Sequence, residues 1–202
     1  MRVLPEKLGW ERYLGPVSLR DLVLVRLGVA VNLVTGQIVA ALLLPVYLDA
    51  VGTMLVAVLV GPRAAVVAGL TSQVLAAVLS GNFSWLPFGV VQIVIALYAW
   101  LAARAGVFRH LWLALPAGAV LGLLAGGTAA PISYHLFGGA TAGGVTAVTA
   151  ALRFAGVPLR AAVYVSSMST DVLDKTLSFG LICLILRTLP DHLAARFPAL
   201  VR

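Results

Sequence analysis

Between Arg63 and Arg104 the chain runs 40 residues without a charged side chain, and from His110 to Leu152 it runs 43 more. Few folds tolerate such runs. A helix of about 20 apolar residues crosses roughly 30 Å of hydrocarbon, so the positions of the charges mark out candidate membrane spans. The 22 uncharged residues Leu27 to Leu48 give a first span ending near Pro45. Only 13 separate Asp49 from Arg63, so the second span is short or draws Asp49 into its outer end. The 40-residue run divides at Ser80-Gly81-Asn82-Phe83-Ser84-Trp85-Leu86-Pro87, a series of turn formers with an interfacial aromatic, into a third and a fourth span. His110 to about Ala130 is the fifth. Residues 131–157 are rich in Gly, Ser and Thr and read as a long loop, with a short helix from Val145 to Phe154. Pro158 then opens a sixth span reaching about Arg187.

Composition agrees. Hydrophobic residues make up 61% of the 202 and charged residues only 10%, too few to cover the surface of a soluble domain. The fold class expected is all-α, a polytopic membrane protein of six helices. Of 14 Lys and Arg, 11 (Arg2, Lys7, Arg12, Arg20, Arg26, Arg63, Arg104, Arg109, Arg187, Arg196 and Arg202) fall on one side of this topology. Only Arg153 and Arg160 fall on the other, and Lys175 lies within the last span. The positive-inside rule then puts both termini in the cytoplasm. It also accounts for the net charge of +7 without nucleic acid. Residues 1–20 do not read as a signal peptide, because Pro5, Glu6, Lys7, Glu11, Arg12 and Pro16 interrupt any apolar core. With Trp10 and Tyr13 they form a cytoplasmic or interfacial segment, or else a flexible tail. Residues 21–190 form the membrane domain and 191–202 a cytoplasmic tail.

The inventory of reactive groups is short. His110 and His192 fall on one side and His135 on the other, so they cannot share a metal, and Cys183 is alone in an apolar run. No Gly-Lys-Ser/Thr phosphate loop occurs. Neither an enzyme nor a cofactor is expected. The strongest polar feature is Asp171-Val172-Leu173-Asp174-Lys175 in the last span. Each ionisable group at bilayer depth costs about 2.5–3.5 kcal/mol on insertion scales. At about 100° per residue, Tyr164, Ser167, Met168, Asp171, Asp174, Lys175 and Ser178 share an arc of about 120°, which must face the bundle interior. Asp171 and Lys175, four residues apart, can simply neutralise each other. Asp174 is then left over, so we read Asp174 and Lys175 as a structural charge network and Asp171, with Tyr164 and Ser167, as substrate-facing. The two carboxylates suit a cationic or hydroxyl-rich ligand, although Lys175 can cancel one of them.

Outer loops add Asn82 and Trp85, then Tyr134 and His135, and the fourth span adds Gln92. Trp85 and Tyr134 can stack on a flat substrate or anchor the chain at the interface. Tyr47, Leu48 and Asp49 lie in the first outer connection, where Asp49 reads more plainly as a helix cap. Gly28, Asn32, Gly36 and Ala40 recur every four residues along the first span, a row that lets helices approach closely, within the chain or against a partner.

The run Leu44-Pro45-Val46-Tyr47-Leu48-Asp49-Ala50-Val51-Gly52-Thr53-Met54, followed by Val60-Gly61-Pro62-Arg63, Gly69, and the final Asp174-Lys175 with its apolar tail to Leu189-Pro190, resembles the S components of energy-coupling factor (ECF) transporters. The resemblance spans about residues 20–190. It implies a substrate-binding subunit of an ABC importer in a bacterial or archaeal cell membrane. Such a subunit takes a vitamin or similar micronutrient from outside and delivers it by toppling in the bilayer, driven by a transmembrane coupling protein and two ATPase subunits. In that family the coupling surface carries an Ala-x-x-x-Ala pattern in the first helix; here Gly28, Asn32, Gly36 and Ala40 stand in its place. The competing class is a multi-span sensor or scaffold module that binds a small ligand without transport. The 15 residues after Arg187 leave little room for a signalling domain, which favours transport.

Overall fold

The computed structural model describes residues 19–42, 44–141 and 144–189. The expected N-terminal segment and C-terminal tail therefore lie largely outside the described residues. All regular structure among the described residues is helical. In chain order the helices are α1 (Leu19–Ala41), α2 (Val51–Leu59), α3 (Pro62–Ser80), α4 (Gly89–Arg104), α5 (Leu111–Phe137), α6 (Val145–Phe154) and α7 (Leu159–Thr188). Short 3-10 turns at Phe83–Phe88 and Val107–Arg109 lead into α4 and α5. Four stretches, Asp21–Ala41, Pro62–Ser80, Phe83–Arg104 and Leu111–Phe137, are long and apolar enough to cross a membrane.

The bundle buries a row of polar side chains within an apolar core and turns large apolar side chains outward. On α7, Ser167, Asp171, Asp174, Lys175 and Ser178 are buried while Val165, Leu173, Leu177, Leu181 and Leu184 face outward. Asn32, Ser72, Gln73 and Gln92 are buried on α1, α3 and α4 beside exposed Val34, Val74 and Val90. Such a surface is stable against hydrocarbon and not against water.

Two expectations are corrected. Helix α5 does not stop near Ala130 but continues through Pro131 to Phe137, ending at Gly138 with φ 58°. A proline inside a helix loses one backbone bond and crowds the carbonyl four residues back. Here that residue is Gly127, which faces open space, and the unsatisfied backbone of a loop at this depth would cost more. The short helix Val145–Phe154 is present within the remainder of that segment. The second concerns Asp49, which does not cap the next helix: the cap position of α2 is Ala50, with no side-chain bond, and Asp49 accepts from Gln73 instead. That helix is as short as the charge spacing implied, nine residues or about 14 Å. Non-helical chain from residue 44 to 50 precedes it.

Helices α5 and α7 pack antiparallel through Gly118, Gly122 and Gly126. A Cβ on Gly122 would lie 2.3 Å from Val172 Cα, and on Gly126 2.7 Å from Met168 Cα. Backbone meets backbone along this row, which fixes the height of Asp171 and Lys175. Gly122→Ala should therefore lower stability by about 1–3 kcal/mol through overpacking. Gly127→Ala, one turn on and facing nothing within 4 Å, should not lower it. Melting curves of the purified variants decide this; equal loss in both would refute the close-packing account.

At the end where α7 terminates, Phe179 packs on Phe108, ring centroids 4.8 Å apart, and on Tyr98 at 6.1 Å. With Leu121, Ile182 and Cys183 these rings fill that half of the bundle. Arg187 donates to the Arg109 carbonyl at the same end. The opposite half is where space remains.

Candidate functional site

The chain between α1 and α2 turns inward instead of capping the bundle. Several of its backbone polar groups are met by side chains from other helices. Asp174 Oδ1 accepts the N–H of Tyr47 at 3.0 Å and of Leu48 at 2.7 Å. Thr35 Oγ1 donates to the Leu48 carbonyl at 2.5 Å. Leu48 has φ 48°, a left-handed conformation costing a non-glycine residue on the order of 1–2 kcal/mol, and it is held by bonds on both its N–H and its C=O. Ala50 gives α2 no side-chain cap; Asn32 of α1 supplies one across the gap. Its Oδ1 accepts the N–H of Gly52 at 2.7 Å and of Thr53 at 3.2 Å. Its Nδ2 donates to Thr53 Oγ1 at 2.8 Å and Ser72 Oγ at 2.9 Å. The helices come this close because Gly28 and Gly52 face each other; a Cβ on Gly52 would meet the Gly28 carbonyl.

The inward segment forms one wall of a half-open cavity. Tyr47 and Asp49 line it from this segment, Gln73 from α3, and Ser84, Trp85 and Phe88 from the 3-10 turn. Val91, Gln92 and Ile95 come from α4, Ala129 from α5, Thr141 from the following connection, and Asp171 and Lys175 from α7. Lys175 pairs closely with Asp174 and lies 3.6 Å from Asp171. Its ammonium sits 5.9 Å from the centre of the Tyr47 ring. Asp49 accepts from Gln73 Nε2 at 3.4 Å, and its carbonyl from Gln92 Nε2 at 3.4 Å. Gln92 Oε1 accepts from Thr53 Oγ1 at 2.9 Å, tying the cavity wall to the Asn32 network. Gln73 Oε1 is buried and has no partner among the described residues.

Of the residues singled out in the sequence, Tyr47, Asp49, Trp85, Gln92 and Asp171 meet in this cavity, with Lys175 beside them. Asp174 stands behind the wall, holding the inward segment. The others lie elsewhere. Asn82 is exposed and caps the 3-10 turn by accepting from Ser84 N–H at 3.1 Å. Tyr134 and His135 pack edge to face outside the cavity, their rings 4.9 Å apart. Tyr164 lies under Arg160, 5.8 Å away, and Ser167 is buried where α7 meets Gly126. Gly28, Asn32 and Gly36 face α2 and the inward segment of their own chain, and Ala40 is exposed. Gln73 and Phe88 were not among the expected binding residues. Gln73 carried the one available signal, a lone amide four residues after Gly69 in an apolar helix; nothing marked Phe88. Among the described residues no group of three His, Cys, Asp or Glu could hold a metal ion.

Among the described residues, fold and site thus define an all-helical bundle with four apolar helices able to cross a membrane and a polar, aromatic-walled cavity in one half of it. Set against known protein families, curated proteins and solved structures, the chain matches none.

Proposed function

We propose that the protein is a membrane-embedded binding subunit that captures a small, vitamin-like molecule from outside the cell, as the resemblance to ECF S components implies. The observation that carries this reading is the cavity itself. It joins the rings of Trp85 and Phe88 to buried Asp171, Gln73 and Gln92 around one half-open space. In this reading the chain crosses the bilayer six times. Helix α7, at 30 residues about 45 Å long, makes the last crossing, and the inward segment with α2 makes the second. Both termini are cytoplasmic. Arg63, Arg104, Arg109 and Arg187 stand at the ends of α3, α4, α5 and α7 remote from Trp85, which supports a cytoplasmic placement for that end and an outward one for the cavity. A transmembrane coupling protein and two ATPase subunits would supply the drive, and the membrane would be that of a bacterial or archaeal cell.

Native mass spectrometry of the protein purified in detergent tests the reading. A small molecule should co-purify with it, and Trp85→Ala should reduce its occupancy at least tenfold with little change in melting, since Trp85 is only half-buried. Uptake of that molecule by cells expressing the protein, lost in the same variant, separates an importer from a sensor or scaffold. Retention by Trp85→Ala would place the binding site elsewhere.

A further inference from the structure

The polar groups facing the cavity are unbalanced in charge and in hydrogen bonding. Three carboxylates, Asp49, Asp171 and Asp174, gather around one ammonium, Lys175. Lys175 is drawn to Asp174, which also accepts two backbone N–H groups and takes no part in the lining. Asp171 keeps the longer contact at 3.6 Å, and Asp49 a 3.4 Å bond from Gln73 and one from its own backbone N–H. Both carboxyl groups are left with acceptor capacity on the cavity side. Gln73 adds an independent sign. It is 5% exposed, lines the cavity, and its Oε1 has no partner among the described residues, although a buried amide oxygen left unpaired is costly. Among the described residues, the one buried atom of the lining without a partner is therefore an acceptor. Trp85 and Phe88 supply flat apolar walls, and a cation also gains from an aromatic face.

We propose that the cavity takes an organic cation with a flat ring and N–H donors, its cationic donor group between Asp171, Asp49 and Gln73 and its ring against Trp85 and Phe88. Charge-assisted hydrogen bonds to carboxylates are the stronger kind, so a ligand of this class has the most to gain from the site. The proposal rests on the binding reading above and names its ligand class.

Benzamidine, benzamide and benzoate have nearly the same shape and carry charges of +1, 0 and −1, so they isolate the charge preference. Binding to the purified protein, read by saturation-transfer NMR and thermal shift at millimolar concentrations, should favour benzamidine over benzamide at least tenfold, with benzoate undetectable. Asp171→Asn should weaken benzamidine at least tenfold and leave benzamide within threefold. Gln73→Met should weaken benzamidine several-fold, and the melting curve of each variant without probe shows that it is folded. Benzamide or benzoate binding as tightly as benzamidine, with sensitivity to Trp85→Ala, would overturn the cation proposal and leave the binding reading standing. Benzamidine binding indifferent to both Asp171→Asn and Trp85→Ala would overturn the proposal as a surface effect. No detectable binding of any probe up to its solubility would count against the cavity as a site at all.

Discussion

Lys175→Met should cost about 3–5 kcal/mol, the loss expected when a buried ion pair is deprived of one partner. Asp174 is fully buried and Asp171 3% exposed, and both would be left without a cation. The Asp174→Asn/Lys175→Met double variant should recover a good part of that loss. Asparagine at 174 can still present Oδ1 to the N–H groups of Tyr47 and Leu48, and methionine fills the volume of the lysine stem. Asp174→Ala should behave differently, because it also leaves those two N–H groups without an acceptor. Each such buried orphan costs about 1–3 kcal/mol. The wall of the cavity would then loosen, since the unfavourable conformation of Leu48 is held from one side by this carboxylate. Thermal melting of the four proteins in one detergent checks the cycle. Equal stability of Lys175→Met and the double variant would show that the loss is not one of uncompensated charge.

The polar stripe on α7 was legible because helical periodicity puts Asp171, Asp174 and Lys175 on one face, and hydrocarbon leaves such a face only the interior. What each residue does was partly legible. That Asp174 belongs to a support and Asp171 to a cavity follows from the arc and from one charge being left over. That the support holds a stretch of backbone 126 residues away does not, because helical periodicity is local and this contact is not. The second crossing shows the same limit. Thirteen uncharged residues announced something shorter than a span, but the inward path needs Asn32 and Asp174 to satisfy its backbone, and neither is a neighbour in sequence. Tyr134 and His135 were grouped with Trp85 because residues 131–137 read as loop. Once α5 runs on to Phe137 their side chains follow its helical phase and point away from the cavity. The Gly118-Gly122-Gly126 row was open to view in the sequence and went unremarked, while the weaker row in α1 was noticed.

That weaker row contains the residue whose loss should be felt most widely. Asn32 was read as one member of a helix-packing stripe, yet its amide makes four hydrogen bonds while 2% exposed. Asn32→Leu keeps a similar volume and removes all four. Gly52 and Thr53 N–H, the first donors of α2, would lose the only cap that helix has, since Ala50 provides none. With two to four groups orphaned at about 1–3 kcal/mol each and some relaxation between them, a loss of about 3–6 kcal/mol is expected. The damage should reach the cavity, because Thr53 also donates to Gln92 Oε1 and Gln92 lines it. Ser72→Ala should be milder, about 1–3 kcal/mol, since it leaves one N–H of Asn32 without an acceptor. The serine hydroxyl still donates to the Ala68 carbonyl in the native state, and its removal takes only one acceptor from Asn32. Hydrogen exchange on the two purified variants separates local from global effects. Asn32→Leu should expose the amides of residues 47–56 first, and uniform protection across α2 in that variant would show that the helix does not depend on a cap from its neighbour.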